Sequence, residues 1–388
     1  VSWPMCVLGD VAPAKPIKLN SFKQSDNFWQ VTLDHIESGT GRLLERNIKP
    51  LSEAGTSTHA FDERHVLYSK LRPYLNKVLL PDGIGIGTTE LVPMLPDPER
   101  LDRDYLAYYL KSNIFVNWVS SQTAGAKMPR VSMNTFWEHE IPLPPLPEQK
   151  RIAAILDKAD SLRRKNQQAI QLADKFLRAV FLDMFGDPVT NPKGWETKKL
   201  KEITSKIGSG ATPRGGQSAY VDQGISLIRS LNIHDDKFLH KDLAFITDQQ
   251  ADALSNVEVK KNDVLLNITG ASVCRCAMAD HSILPARVNQ HVCIIRSTEM
   301  ESEYLLHLLI SNSYKQKLVK IAGAAGATRE ALTKEQIENL DIPIPPRNMQ
   351  EKFALIKAKI KSIVDAMYTA NSLSLFDSLS QKAFAGEL

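Results

Sequence analysis

The 388-residue chain is long enough for two domains with cores of their own, and 43% hydrophobic and 24% charged residues exclude a disordered or collagen-like polymer. A net charge of +4 is too mild to argue for nucleic acid by itself, and four cysteines are too few for a disulfide framework, so reduced thiols in a reducing compartment are expected. Neither the opening VSWPMCVLGDVAPAKPIKL nor any later stretch has the apolar run of a signal peptide or a membrane span, so a cytoplasmic location without membrane contact is expected.

Residues 1–146 read as a mixed α/β domain. Short β-branched and aromatic runs such as HVLYSKLRPYLNKVLL are broken by turn residues, and RDYLAYYLKSNIFVNWVSS reads as helix. GIGIG at 83–87 lacks the full dinucleotide fingerprint and reads as a tight turn beside a strand. IPLPPLPEQKRIAAILD follows at 141–157, where Pro142, Pro144 and Pro145 fix φ and remove donors, giving a stiff exit that cannot continue a sheet. Pro147 fits the first turn of the helix that comes next.

That helix, 147–186, carries an apolar seam with alternating spacings of three and four: Ile152, Ile155, Ala159, Leu162, Ala169, Ala173, Phe176 and Val180, with polar Asn166 in the seam. Gly186, Asp187 and Pro188 close it. Residues 187–346 form a second mixed segment, with NDVLLNITGASVCRCA as strands and SEYLLHLLISNSYKQKLVKIAG as helix. A second proline run, IPIPPRNMQEKFALIKA at 342–358, leads into the helix 347–388. Asn348 and Glu351 have the spacing of a capping box. The second seam is Phe353, Ile356, Ile360, Ile363, Met367 and Ala370, after which the pattern slips toward Phe376 and Leu379.

The two proline runs are one register apart, 201 residues, and GAKMPRVSMNTFWEHEIPLPP at 125–145 lies over GATREALTKEQIENLDIPIPP at 326–346. The chain is thus a duplicated unit. The expected fold is mixed α/β: two α/β domains separated by a pair of long antiparallel coiled-coil helices, related by a pseudo-two-fold repeat. One stripe alone could pack on its own domain, but two stripes that each need burial can bury each other. A helix of about 40 residues spans on the order of 60 Å, between one and two turns of B-DNA at about 34 Å each. The positive excess sits on these helices, with 8 basic against 5 acidic residues in 147–186 and 6 against 4 in 347–388. DNA binding by the mixed segments would therefore need locally clustered charge.

Cys274 and Cys276, with His281, His291 and Cys293 nearby, could be drawn as a metal site, but C-x-C also fits a strand burying alternate small side chains, and no metal is assigned. No Asn-Pro-Pro-aromatic tetrapeptide, phosphate-binding loop with its lysine, G-x-S-x-G elbow or H-E-x-x-H is present, so no catalytic residue is expected in this chain.

PLPPLPEQKRIAAILDKAD, FLDMFGDPVTNPKGW and the ending QKAFAGEL resemble the specificity subunit of type I restriction-modification enzymes, as do KIGSGATPRGG, ISLIRSLNI and RVNQHVCIIR. The resemblance implies that each globular segment reads one half of a bipartite, asymmetric double-stranded DNA target. It implies that the helices set the spacing and dock two methyltransferase subunits, with restriction subunits joining through the complex. Methylation and ATP-dependent cleavage would belong to those partners, which would carry S-adenosylmethionine, ATP and magnesium. The competing reading is a protein-interaction scaffold that does not touch DNA.

Base reading needs donors and acceptors at base edges, and Lys, Arg, Ser and Thr on phosphates set the register. In the first domain Lys70, Arg72, Lys77, Thr88, Thr89, Lys127 and Arg130 are candidates. In the second, Ser209, Thr212 and Arg214 lie in a glycine-rich turn, and Arg229, Asn232, Asn267, Thr269, Arg275, Asn289, Gln290 and His291 add suitable side chains. Asn289 and Gln290 follow a strand-like alternation, so one of them is expected to point inward. Arg163, Arg164 and Lys165 read as a solvated helix face, with partner docking as the alternative.

Overall fold

The computed structural model describes residues 3–19, 22–55, 57–125, 127–323, 330–369 and 372–388. The chain forms two compact units, Val1–Gln168 with Met367–Leu388, and Ala169–Ala366. Each unit therefore takes in part of both long helices.

The first unit holds a four-stranded sheet in the order Asn47–Pro50, Asn27–Val31, Gly85–Thr88, Thr58–Phe61, whose central pair is parallel and whose outer pairs are antiparallel. A second, antiparallel sheet orders Val78–Leu79, Val66–Ser69 and Leu91–Met94. In the second unit the same pattern returns as Ala244–Ile246, Ile225–Ile228, Ala286–Val288, Glu258–Val259, again with a parallel centre. Its antiparallel partner sheet orders Thr204–Ser209, Val292–Ser297, Val264–Asn267 and Cys276–Met278, one strand more than in the first unit. The sequence repeat is thus a repeat of topology.

GIGIG begins in a bend at Gly83 and passes into one of the two central strands, Gly85–Thr88. A Cβ on Gly85 would lie 2.6 Å from the Phe61 ring and 2.8 Å from the Trp29 carbonyl oxygen, so the glycine makes room for the edge-to-face pair Trp29–Phe61. Each expected long helix of the mixed segments is two helices broken at a serine. Arg103–Lys111 and Asn113–Ser121 meet at Ser112, whose hydroxyl accepts from the Phe115 N–H at 3.3 Å, and Ser302–Ile310 and Asn312–Gly323 meet at Ser311.

The proline exits are held by their carbonyls. Glu140–Pro142 pairs with Met5–Val7, and Asp341–Pro343 with Thr197–Lys199, so each run does extend a two-stranded ladder as far as its first proline. The Tyr105 hydroxyl donates to Pro142 O and that of Tyr304 to Pro343 O, each at 2.8 Å. Buried Gln149 donates to Pro144 O (2.7 Å) and Arg100 O (2.8 Å) and accepts from Asp102 N (2.8 Å). Gln350 donates to Pro345 O (2.7 Å) and accepts from Glu301 N (2.9 Å). One amide thereby clamps each exit to the first turn of a domain helix.

The first long helix is Leu146–Phe185, with Pro147 in its first turn, and it ends at Gly186, whose φ of 77° lets its N–H reach back to Leu182 O at 2.8 Å. The second runs Arg347–Thr369 and Ser372–Ala385. It starts one residue before Asn348, so the capping box does not form, and Glu351 instead pairs with Arg347.

Half of the expected seam is displaced by one residue. Ile152 and Ala159 are buried and Asn166, Ala169, Ala173 and Val180 are half-buried, but Leu162 and Phe176 are exposed at 47% and 55%. The inward positions between them are Leu156, Arg163, Ile170 and Leu177, giving spacings of four and three in place of three and four; Ile155 is half-buried beside Leu156. The second helix corrects likewise: Phe353 is buried, Ile356, Ile360 and Met367 are half-buried, Ile363 is 57% exposed, and Lys357 and Val364 face inward. Ala370 and residues 326–329 lie outside the described residues. Both orders share a period of 3.5, and adjacent apolar pairs such as Ile155–Leu156 and Phe176–Leu177 satisfy either. Packing chose between them.

In the first unit Ile152, Leu156 and Ala159 share a core with Phe376, Ala383 and Phe384, and Phe384 meets the rings of Tyr105 and Tyr109. In the second, Leu177, Phe181 and Phe185 share a core with Phe353, and Phe185 meets Tyr304. The start of one helix meets the end of the other in both units, which is the antiparallel sense.

Candidate nucleic-acid interface

Val66–Val78 and Val264–Cys276 fold alike. Each strand runs into a loop with two left-handed positions, Arg72 and Asn76 (φ 49° at both) in the first unit, Gly270 (75°) and Cys274 (67°) in the second. Arg72 and Asn76 flank the single turn Pro73–Leu75, while Gly270 opens the turn Gly270–Ser272 and Cys274 lies two residues beyond it, so the chain doubles back on itself in both. The pinning bonds are also shared. Arg72 N donates to Pro129 O (2.8 Å) as Gly270 N does to Glu330 O (3.0 Å), and Lys70 N to Glu90 O (3.1 Å) as Ile268 N does to His291 O (3.0 Å). Each loop is thus fastened on one side to the segment entering the proline exit and on the other to the end of the central strand. Two glycine positions are fixed by similar closeness: a Cβ on Gly41 would sit 1.8 Å from Val78 O, and one on Gly210 the same distance from Val288 O.

The first-unit candidates gather around this loop. Arg72 and Lys127 are exposed and joined by a 3.4 Å bond from Arg72 Nη2 to Lys127 O. Arg130, also exposed, is gripped by Glu90 at 3.0 Å, which raises its pKa. Lys70, Thr88 and Thr89 are half-buried. Burial, and next the charge of Lys70, depress the pKa of His59 on the neighbouring strand. Lys77 turns away and donates to Leu33 O at 2.7 Å, which makes it a brace inside the unit.

In the second unit the glycine-rich turn does come together with the strand end: the Thr212 hydroxyl donates to Gln290, and Thr269 Oγ1 lies 2.6 Å from His291 Nδ1. Arg214 and Gln290 are exposed, and Ser209 and Arg275 half-buried. Three candidates are structural. Asn232 is fully buried, with its amide bonded to Leu239 O and Lys241 O and its oxygen accepting from Arg229 N. Asn267 is fully buried and donates to Ser230 O and Ser272 Oγ. Asn289 is the inward member of its pair and accepts from His291 N at 3.0 Å. Their short amides pair backbone groups left over at strand ends, which sequence cannot tell from base reading. Arg229 lies over the Tyr220 ring, 5.4 Å to its centroid, and also donates to Asp242 O.

Sequence reasoning missed Glu90, which reads as an ordinary surface acid until the fold sets it against Arg130. It also missed Tyr74 and Met128, exposed at 52% and 49% on and beside the first loop. An open cleft of about 600 Å³ lies on the other sheet of the second unit, lined by Ser226, His240, Asp242, Phe245, Leu284 and Pro285, and none of the candidates faces it.

Burial pushes the thiols of Cys274 and Cys293 up to about 12, and that of Cys276 well above its ordinary value, and all three side chains lie in one core of the second unit. Among the described residues Asp236, Glu303 and His307 are close enough to share a cation. Lys357 bonds both carboxylates and supplies the positive charge there itself. Burial raises the pKa of Asp236, while burial, then Lys357 and Arg178, lower that of His307.

A family model described as type I restriction modification DNA specificity domain matches residues 2–172 and 192–365. The type I restriction enzyme MjaVIII specificity subunit of Methanocaldococcus jannaschii is 26% identical over 298 residues, covering 72% of this chain and 67% of that protein. The MjaIX specificity subunit of the same organism is 24% identical over 373 residues, covering 89% and 82%. The fold is similar to that of the type I restriction-modification S subunit from M. genitalium (TM-score 0.60, 13% identity, 99% and 96% covered). It is equally similar to a chain solved in work on complex assembly and conformational transition of the type I R-M system (TM-score 0.60, 21% identity, 100% and 98% covered). With two matched segments that take in both copies of the pinned loop and both proline exits, the chain belongs to the type I restriction modification DNA specificity domain family.

Proposed function

We propose that this chain is the DNA-recognition subunit of a type I restriction-modification complex, each unit reading one half of a bipartite target. The observation that carries the reading is the doubled loop: one backbone, pinned by equivalent bonds in both units, presents different side chains in each, Arg72 and Tyr74 in one, Gly270 and Ser272 in the other. A common frame with unlike tips suits two unlike half-sites. The long helices act as the spacer between half-sites and as the dock for two methyltransferase subunits, and restriction subunits join through the complex. The chain contributes no catalytic residue. S-adenosylmethionine, ATP and magnesium bind the partners, and the complex works in the cytoplasm; no described helix is long and apolar enough to cross a membrane.

Exchanging residues 187–346 for the corresponding segment of another family member is expected to change the methylated sequence in one half-site and leave the other as it was. A change in both halves, or in neither, refutes the modular reading. The scaffold alternative predicts duplex binding that is absent or insensitive to salt, whereas phosphate contacts make affinity fall steeply as salt rises.

A further inference from the structure

We propose that Tyr74 and Met128 form an apolar wedge that enters the duplex at one base step of the half-site read by the first unit. The inference rests on the recognition reading above and adds how this unit engages DNA. A half-exposed tyrosine and a half-exposed methionine lie on two segments joined by the Arg72 N to Pro129 O bond and the Leu71–Arg130 bridge. The cations of Arg72 and Lys127 border them, so phosphates are held where the apolar tips reach inward.

The loop is stiff. Pro73 is buried, Asn76 Nδ2 donates to Lys111 O at 2.9 Å, and left-handed residues close both ends, so the tip loses little freedom on binding. Nothing in the loop's architecture requires an aromatic, because the second unit builds the same turn with Ser272 at the position of Tyr74. Tyrosine is therefore spare to the fold and exposed, with the cations of Arg72 and Lys127 on the two segments that carry it and Met128. Methionine and other apolar side chains inserted between bases part the stack and kink the duplex, and an aromatic face replaces the lost stacking.

The test uses the full chain with its methyltransferase subunits and duplexes carrying 2-aminopurine at successive positions of the first half-site. The unsubstituted complex is expected to brighten one step away from the methylated base. Tyr74→Ser should abolish that signal and weaken binding through this half-site about tenfold or more. Tyr74→Phe should keep both, and Met128→Ser should lower both, with the other half-site unchanged throughout. The proposal is overturned if brightening occurs only at the methylated base, if Tyr74→Ser leaves signal and affinity intact, or if Tyr74→Phe is as damaging as Tyr74→Ser. Thermal melting of each variant separates these outcomes from loss of fold. Failure of the unsubstituted complex to bind any specific duplex would instead sink the recognition reading on which the wedge rests.

Discussion

Single residues decide how each domain releases its chain into a helix. Gln149 and Gln350 were silent in the sequence because a glutamine at the start of an amphipathic helix reads as solvated. Burial turns each into a clamp, with both ends of the amide paired, where an unpaired amide would cost about 1–3 kcal/mol. His139 shows the opposite economy. Its ring packs 3.7 Å from Trp118, its Nε2 meets the Tyr109 hydroxyl at 2.8 Å, and burial depresses its pKa to about 4 from 6.5. Between those values the unfolded chain binds a proton that the folded unit refuses. Stability of the first unit should therefore fall as pH drops from about 6.5 to 4. Thermal melts of His139→Phe over that range should show a shallower decline than the parent.

At the scale of the helices, period and phase separate. The 3.5-residue period of both stripes is legible, since apolar residues recur over many turns. Their phase is not, because Ile155–Leu156 and Phe176–Leu177 offer a usable side chain in either order. The observed order puts Leu156 fully inside and Leu162 half outside. Leu156→Ala should cost about 2–5 kcal/mol in urea unfolding, and Leu162→Ala no more than about 0.5 kcal/mol. The reverse ranking would restore the phase read from sequence. Lys357 follows from the same phase: its seam position places it between Asp236 and Glu303, two acids from distant parts of the chain.

For the whole molecule, the units do not follow the order of the chain. Met367–Leu388 belongs with Val1–Gln168, and Phe376, Ala383 and Phe384 complete a core begun by Tyr105 and Ile152. Trp3 fastens the same region by donating to Ala383 O at 3.1 Å. Ending the chain after Ala366 should therefore open the first unit and spare the second. Hydrogen exchange should rise sharply in Arg103–Lys111 and stay slow in Ser302–Ile310. Equal loosening of both helices would mean that the terminal helix stabilises the molecule some other way.

The sequence by itself determined the duplication, the proline exits, the helical period and the mixed α/β character of each copy. Those features are local or repeat at a fixed distance, so they survive reading along the chain. Tertiary structure alone decided the seam's phase, the inward turn of Asn232, Asn267 and Asn289, the grip of Glu90 on Arg130, and the wedge-like exposure of Tyr74. Each depends on which distant residue fills the space alongside, and a side chain's polarity does not say whether water or a backbone carbonyl will be its partner.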